Sequence, residues 1–330
     1  MAKGNIQITA TSMIAMLALA ATLQSAVAGT TRGFVDAGVD GDRVPTGKGW
    51  GEQRSAAGGA NGTGQAKPSA GSTSSNGISY HGGPLITSPL TVYYIWYGNW
   101  SNNTAPQILS NLASYIGGSP YFNINTTYYN GTGQRVQNTV ATSVSPASPA
   151  LFGTQPLVTN YSSSLSDSDV QKVVSDHITN NLLPADPNGV YFVLTSADVN
   201  ETSGFCTKYC GWHTHASIAG KDIKYAFVGN PDRCPSACEA QTTSPNGNSG
   251  ADGMASVIAH ELEEAASDPD LNAWYDNRGM ENADKCAWTF GTTYTVANGS
   301  HANMKIGSLN YLIQRNWVNA AGGYCNLSYP

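Results

Sequence analysis

The stretch Val257 to Asp270 reads VIAHELEEAASDPD and places His260, Glu261 and Glu264 in the order H-E-x-x-E. This is one residue type away from the zinc peptidase signature H-E-x-x-H, in which the outer pair ligates Zn2+ and the inner glutamate takes a proton from the metal-bound water. On a helix, positions i and i+4 point the same way about one turn apart, so His260 and Glu264 can reach one cation. Glu261, turned roughly 100° aside, then stands where a catalytic base is needed. A carboxylate in place of the second imidazole makes the donor set harder and more anionic. That change weakens Lewis acidity at Zn2+ and admits Ca2+ or Mn2+ as alternatives.

The competing reading is an acidic helix face, with Glu261, Glu263 and Glu264 in solvent and His260 hydrogen-bonded in the core. The apolar neighbours in VIAHEL weigh for ligation, because an unpaired imidazole among them is costly. His213 and His215 alternate in WHTHAS and would share one face of a strand, either as a ligand pair or as one partnered core histidine and one surface residue. His81, His177 and His301 have only loop or surface readings. No G-x-S-x-G elbow, P-loop or dinucleotide motif in a strand-to-helix context accompanies them.

A helix of this kind needs a scaffold, and the order of periodic segments supplies one. LTVYYIWYG (Leu90 to Gly98) reads as a buried strand, TAPQILSNLASYIGG as a helix, QNTVATSV as a second strand, SDSDVQKVVSDHITNNLL as a capped amphipathic helix and GVYFVLTS as another buried strand. WHTHASIAG and KYAFVGN then flank a hairpin turn at Gly220, Lys221 and Asp222. Asp252 caps the H-E-x-x-E helix, which ends before Pro269. LNYLIQRNW is a further strand candidate near the C-terminal end. The expected fold class is α/β: one secreted domain with a zincin-like mixed sheet, an edge hairpin and then the H-E-x-x-E helix.

Composition bounds the compartment and the partners. Residues 1–28 carry Lys3, an apolar run and a small-residue cleavage site, which reads as an export signal. Residues 29–77, rich in Gly, Ser and Thr, read as a flexible linker, and residues 78–330 as the folded domain. The apolar run is too short for a stable membrane anchor, so none is expected after signal cleavage. Only 12% of residues are charged, against about 25% in an average globular protein, and the net charge of −6 is spread without a Lys/Arg cluster. Nucleic-acid binding is therefore excluded as an expectation. The six cysteines, Cys206, Cys210, Cys234, Cys238, Cys286 and Cys325, read as disulfides in an exported chain. Cross-pairing between the two C-x3-C segments is geometrically reasonable, local pairing within each is the alternative, and Cys286 with Cys325 is the simplest remainder.

With these residues in view, the chain resembles the secreted EXORDIUM family, also called phosphate-induced proteins. The resemblance is carried by YHGGPLITSPLTVYYIWYGNWS, GFCTKYCGWHT, YAFVGNPDRCPSACE, NGNSGADGMASVIAHELEEAASDPDLNAWYD and ENADKCAW. It implies an extracellular or cell-wall protein linked to growth and nutrient responses, with no established chemical activity. The matching positions are His260, Glu261, Glu264, Glu281 and Asp284. Expected partners are an extracellular protein, a peptide or a cell-wall component.

Two protein groups hold an ion weakly, since catalytic zinc sites use three. Asp270 follows His260 at the spacing of a metzincin third ligand, but Pro269 intervenes. Glu281 and Asp284 lie in ENADKC, a segment tethered by Cys286 and part of the resemblance. The expected metal set is thus His260, Glu264 and Glu281, with Asp284 as supporting partner or alternate ligand, Asp270 as runner-up and His213 next in line. Two functions follow from it. One is a metal-dependent hydrolase, most simply a peptidase, with Glu261 as base; the other is a non-catalytic extracellular protein with a structural metal or acidic site.

Overall fold

Leu90–Tyr97 carries β-branched or aromatic side chains at nearly every position and Gly189–Thr195 does the same, a composition suited to strands covered on both faces. In the computed structural model, which describes residues 36–37, 43–48, 77–142 and 162–330, these two segments are neighbours at the centre of a five-stranded sheet. The described residues fall in one unit running from Arg32 to Pro330. The expected signal peptide, residues 1–28, and most of the expected linker lie outside the described residues.

The sheet comprises β1 (Leu90–Tyr97), β2 (Val140–Thr142), β3 (Gly189–Thr195), β4 (Gly211–Ile218) and β5 (Lys221–Gly229), in the order β2-β1-β3-β5-β4. The first four in that order run parallel, and β4 closes the edge antiparallel to β5. The turn between β5 and β4 is made by Ala219 and Gly220, both at positive φ (51° and 72°), as a two-residue hairpin matched to strand twist requires. Helix α1 (Ala105–Ile116) joins β1 to β2, and α2 (Asp167–Thr179) joins β2 to β3. α2 begins in a capping box in which the Ser166 side chain accepts the Asp169 N–H and the Asp169 carboxylate accepts the Ser166 N–H.

Register decides which face holds which chemistry. Tyr94, Phe192, Ala226 and His213 lie opposite one another across β1, β3, β5 and β4. The alternate row of Tyr93, Tyr191 and Tyr225 points the other way, where the Tyr225 hydroxyl meets Gln171 of α2. The face of Phe192 and His213 is covered by α3 (Ser249–Ser267), the helix of the H-E-x-x-E sequence, with α1 beside it. Their N-termini are joined by Asn248, whose amide donates to Asn103 Oδ1 and Thr104 Oγ1, each at 2.9 Å.

Asn248, not Asp252, caps α3: its side chain accepts the Ala251 N–H at 3.0 Å. Asp252 sits in the first turn, where its carboxylate is engaged by the backbone and side-chain amides of Asn246. LNYLIQRNW is likewise two short strands, Leu309–Tyr311 and Asn316–Val318. Between them the backbone is spent on side chains, with the Ile313 N–H on Asn303 and the Gln314 N–H on Ser256.

The disulfides are Cys206–Cys234, Cys210–Cys238 and Cys286–Cys325. The first two cross-link the approaches to the β4–β5 hairpin. The third pins the segment after α3 to the C-terminal strand Tyr324–Asn326.

Candidate metal centre

α3 closes on β4 where the strand has no side chain. A Cβ on Gly211 would lie 2.6 Å from Val257 Cγ1 and 3.1 Å from Glu261 Oε1, so only glycine admits this approach. His213, two residues along β4, points to the same face and meets the helix. Its Nδ1 lies 3.4 Å from Glu261 Oε2 and 3.5 Å from Glu264 Oε2, and its Nε2 lies 3.5 Å from Glu281 Oε1. One turn of helix spans His260 and Glu264, and His260 Nε2 is 3.2 Å from Glu264 Oε1 and 3.6 Å from Asp284 Oδ1.

Every residue from Met254 to Pro269 is buried. The solvated acidic face of the competing reading does not form: Glu261, Glu263 and Glu264 are each 0% exposed. Burial follows from a second layer laid over the helix. Asp268 ends α3, and its carboxylate accepts the N–H groups of Asn272 and Ala273, turning the chain back past Pro269. The returning segment pairs Trp274–Tyr275 with Ser79–Tyr80 and then delivers Glu281 and Asp284 against the helix. There the Asp284 N–H donates to Glu264 Oε1 at 3.0 Å and the Asn282 amide donates to the Glu263 carbonyl at 3.1 Å.

Burying so many acids together sets their protonation. Burial raises Asp284 to about 7, and the charge of Glu264 adds to the effect. Burial also pushes Glu281 well above the carboxylate range against the pull of His213, and it raises Glu261. Glu264 goes the other way: burial opposes ionisation, but His260 and His213 hold it down to about 2. Burial would lower His213, yet Glu281, Glu261 and Glu264 keep it well above its ordinary value. Burial thus pushes Glu261, Glu281 and Asp284 toward the protonated form, while the two histidines favour the ionised form of Glu264.

The donor set fits a divalent cation. Among the described residues Glu261 Oε1, Glu264 Oε2, Glu281 Oε1 and Asp284 Oδ1 are buried without a hydrogen-bond partner, and no Lys or Arg forms an ion pair with any of these four acids. Buried carboxylate oxygens in that state are costly unless something cationic takes them up. One donor atom from each of His260, Glu264 and Asp284 lies within 4.8 Å of the other two, and the same holds for His213, Glu261 and Glu264.

Of the residues singled out by sequence, His260, Glu264 and Asp284 are thus brought together. Glu281 joins the same cluster through His213 and not through His260. Asp270 is elsewhere, largely buried beside the buried Lys224 and the more exposed His215 and Asp222. His213 is the residue that motif reading undervalued. The signal was its alternation on a strand two residues after Gly211, which becomes informative only once β4 is packed against α3.

A strap covers the outer edge of β4. Within the stretch expected to be a flexible linker, Pro45 and Gly47 are buried, and Gly47 O accepts the His213 N–H at 3.1 Å. Gly47 has φ +69°, and a Cβ there would lie 1.8 Å from His213 O, so a side chain is excluded. Lys48 anchors the strap through Asp167 and Ser203, with its ammonium over the rings of Tyr209 and Trp212.

Comparison with known proteins covers this site. Residues 78–306, which include all six donors, match the family model described as phosphate-induced protein 1 conserved region. The chain is similar to Protein EXORDIUM-like 3 of Arabidopsis thaliana, 33% identical over 288 residues, or 75% of this chain and 82% of that relative. Protein EXORDIUM-like 5 of Arabidopsis thaliana is 31% identical over 247 residues, 65% of each chain. Protein EXORDIUM of Arabidopsis thaliana is 28% identical over 238 residues, 65% of this chain and 74% of the relative. No solved structure matches.

Proposed function

The chain belongs to the phosphate-induced protein 1 family, and from that premise we propose that it is a secreted, non-catalytic extracellular or cell-wall protein of growth or nutrient response, with a divalent cation held as a structural element by His260, Glu264 and Asp284. Closure of the site carries the reading. His260, Glu264 and Asp284 are 2%, 0% and 4% exposed, so an ion among them is sealed from any substrate, where a catalytic ion needs a position open to one. The cation would be Zn2+, or Ca2+ or Mn2+, which so carboxylate-rich a donor set tolerates.

Secretion is supported by three disulfides, which persist in oxidising compartments, and by the export signal at the N-terminus. Among the described residues no helix is long and apolar enough to cross a membrane. A zincin-like reading of the fold is supported by the mixed sheet with its antiparallel edge hairpin followed by the H-E-x-x-E helix. That scaffold also suits a peptidase with Glu261 as base, but a base sealed from solvent meets no substrate. The partner is then an extracellular protein, peptide or wall component recognised at the surface.

Incubation of the Zn2+-loaded protein with a mixed peptide library tests this reading. The expected result is no cleavage above that of Glu261→Gln. Turnover by the wild type that disappears in Glu261→Gln would restore the peptidase.

A further inference from the structure

We propose that the cluster holds two divalent cations side by side, bridged by the Glu264 carboxylate, an inference that rests on the cation-binding reading above. The two three-residue donor groups share only Glu264. Its oxygens are divided between them: Oε1 faces His260 Nε2 at 3.2 Å and Oε2 faces His213 Nδ1 at 3.5 Å. The first position is completed by Asp284 Oδ1, 3.6 Å from His260 Nε2. The second is completed by Glu261 Oε2, 3.4 Å from His213 Nδ1.

Charge distinguishes one ion from two. Glu261, Glu264, Glu281 and Asp284 are all buried, and no Lys or Arg forms an ion pair with them among the described residues. Ion binding displaces the protons that burial favours on Glu261, Glu281 and Asp284; one divalent cation then neutralises half of four carboxylates, and two neutralise all of them. A single ion at His260 also leaves Glu261 Oε1 and Glu281 Oε1 unserved in the half of the cluster around His213.

Glu281 has a different part in this arrangement. It lies at His213 Nε2, on the far side of the ring from Glu261 and Glu264. The Asp268 carbonyl oxygen, 3.4 Å from Nε2, accepts the Nε2–H, which fixes the tautomer that leaves Nδ1 free to ligate, and the Glu281 carboxylate beside it raises the basicity of the ring. Glu281 is a positioning residue for His213, not a ligand to the ion at His260.

The test uses the full mature chain saturated with Mn2+, freed of excess ion by gel filtration and measured by elemental analysis and electron paramagnetic resonance. Two Mn2+ per wild-type chain with a spin-coupled signal are expected. His213→Ala and Asp284→Asn should each retain one ion and show an uncoupled Mn2+ signal. Should either variant fail to fold, the wild-type stoichiometry and coupling decide alone. One uncoupled ion per wild-type chain, kept by His213→Ala and lost by Asp284→Asn, would overturn the pair and leave the single structural ion standing. No bound ion in folded wild type would remove both.

Discussion

Oε2 of Glu264, in the middle of α3, lies 3.5 Å from Nδ1 of His213 on the edge strand. This contact joins the helix to the sheet through groups that have no access to water, so removing the carboxylate takes one charged partner from each of two buried imidazoles, His213 and His260. Glu264→Ala is expected to cost about 3 kcal/mol or more in denaturant unfolding, the range for breaking a buried ion pair. A loss below about 1 kcal/mol would show that the cluster does not hold α3 to β4.

Gly47 is expected to be irreplaceable in the strap. Its positive φ and the 1.8 Å clash awaiting any Cβ predict that Gly47→Ala detaches the strap from β4. The amide of His213, which donates to Gly47 O, then exchanges with deuterium faster by tenfold or more. Lys48→Ala should do less, because its partner Asp167 is half exposed and such pairs are worth roughly 0.2–1 kcal/mol. Unchanged exchange at His213 in Gly47→Ala would contradict the docking.

Much of this fold is legible in local pattern. The apolar runs of β1 and β3 and the capped start of α2 each follow from neighbouring residues and appear where expected, and the hairpin turn falls one residue early, at Ala219 and Gly220, with Lys221 and Asp222 already in β5. The H-E-x-x-E spacing likewise brought His260 and Glu264 together. What local pattern does not carry is burial imposed from elsewhere. Sequence leaves open whether Glu261, Glu263 and Glu264 face solvent, and the return of the chain after Asp268 is what seals them. The partition of Glu281 and Asp284 between two histidines depends on β4, more than 40 residues upstream of the helix motif in the chain numbering. No spacing rule reports that contact.

The disulfides should differ in what they protect. Cys286–Cys325 holds the segment that carries Asp284, whereas Cys206–Cys234 lies at the hairpin. Replacing either pair with serine is expected to cost about 2–4 kcal/mol. Only the Cys286→Ser, Cys325→Ser double variant should also weaken cation retention, read by competition with a chelator. Equal retention in both double variants would remove the link between this bridge and the site.

Glu239 gives a pH dependence away from the cluster. Burial, and then the charge of Asp232, raise it from 4.5 to about 7. The unfolded chain releases this proton at lower pH than the folded one, so stability falls as pH rises from about 4.5 to 7 and stays reduced above. Glu239→Gln removes that loss. The variant should gain on the order of 2 kcal/mol over wild type at pH 8 and nothing at pH 4, as measured by denaturation at the two values. A gain at pH 4 that vanishes at pH 8 would reverse the sign and refute the assignment.

The central claim is a divalent cation that the fold needs. Elemental analysis of the purified protein, paired with thermal unfolding before and after chelation, addresses it most directly. Bound divalent cation at no less than one per chain is predicted, with Tm falling by roughly 5–10 °C when it is stripped and recovering when it is restored. Protein that is folded, free of metal and indifferent to chelator in its unfolding would contradict the account.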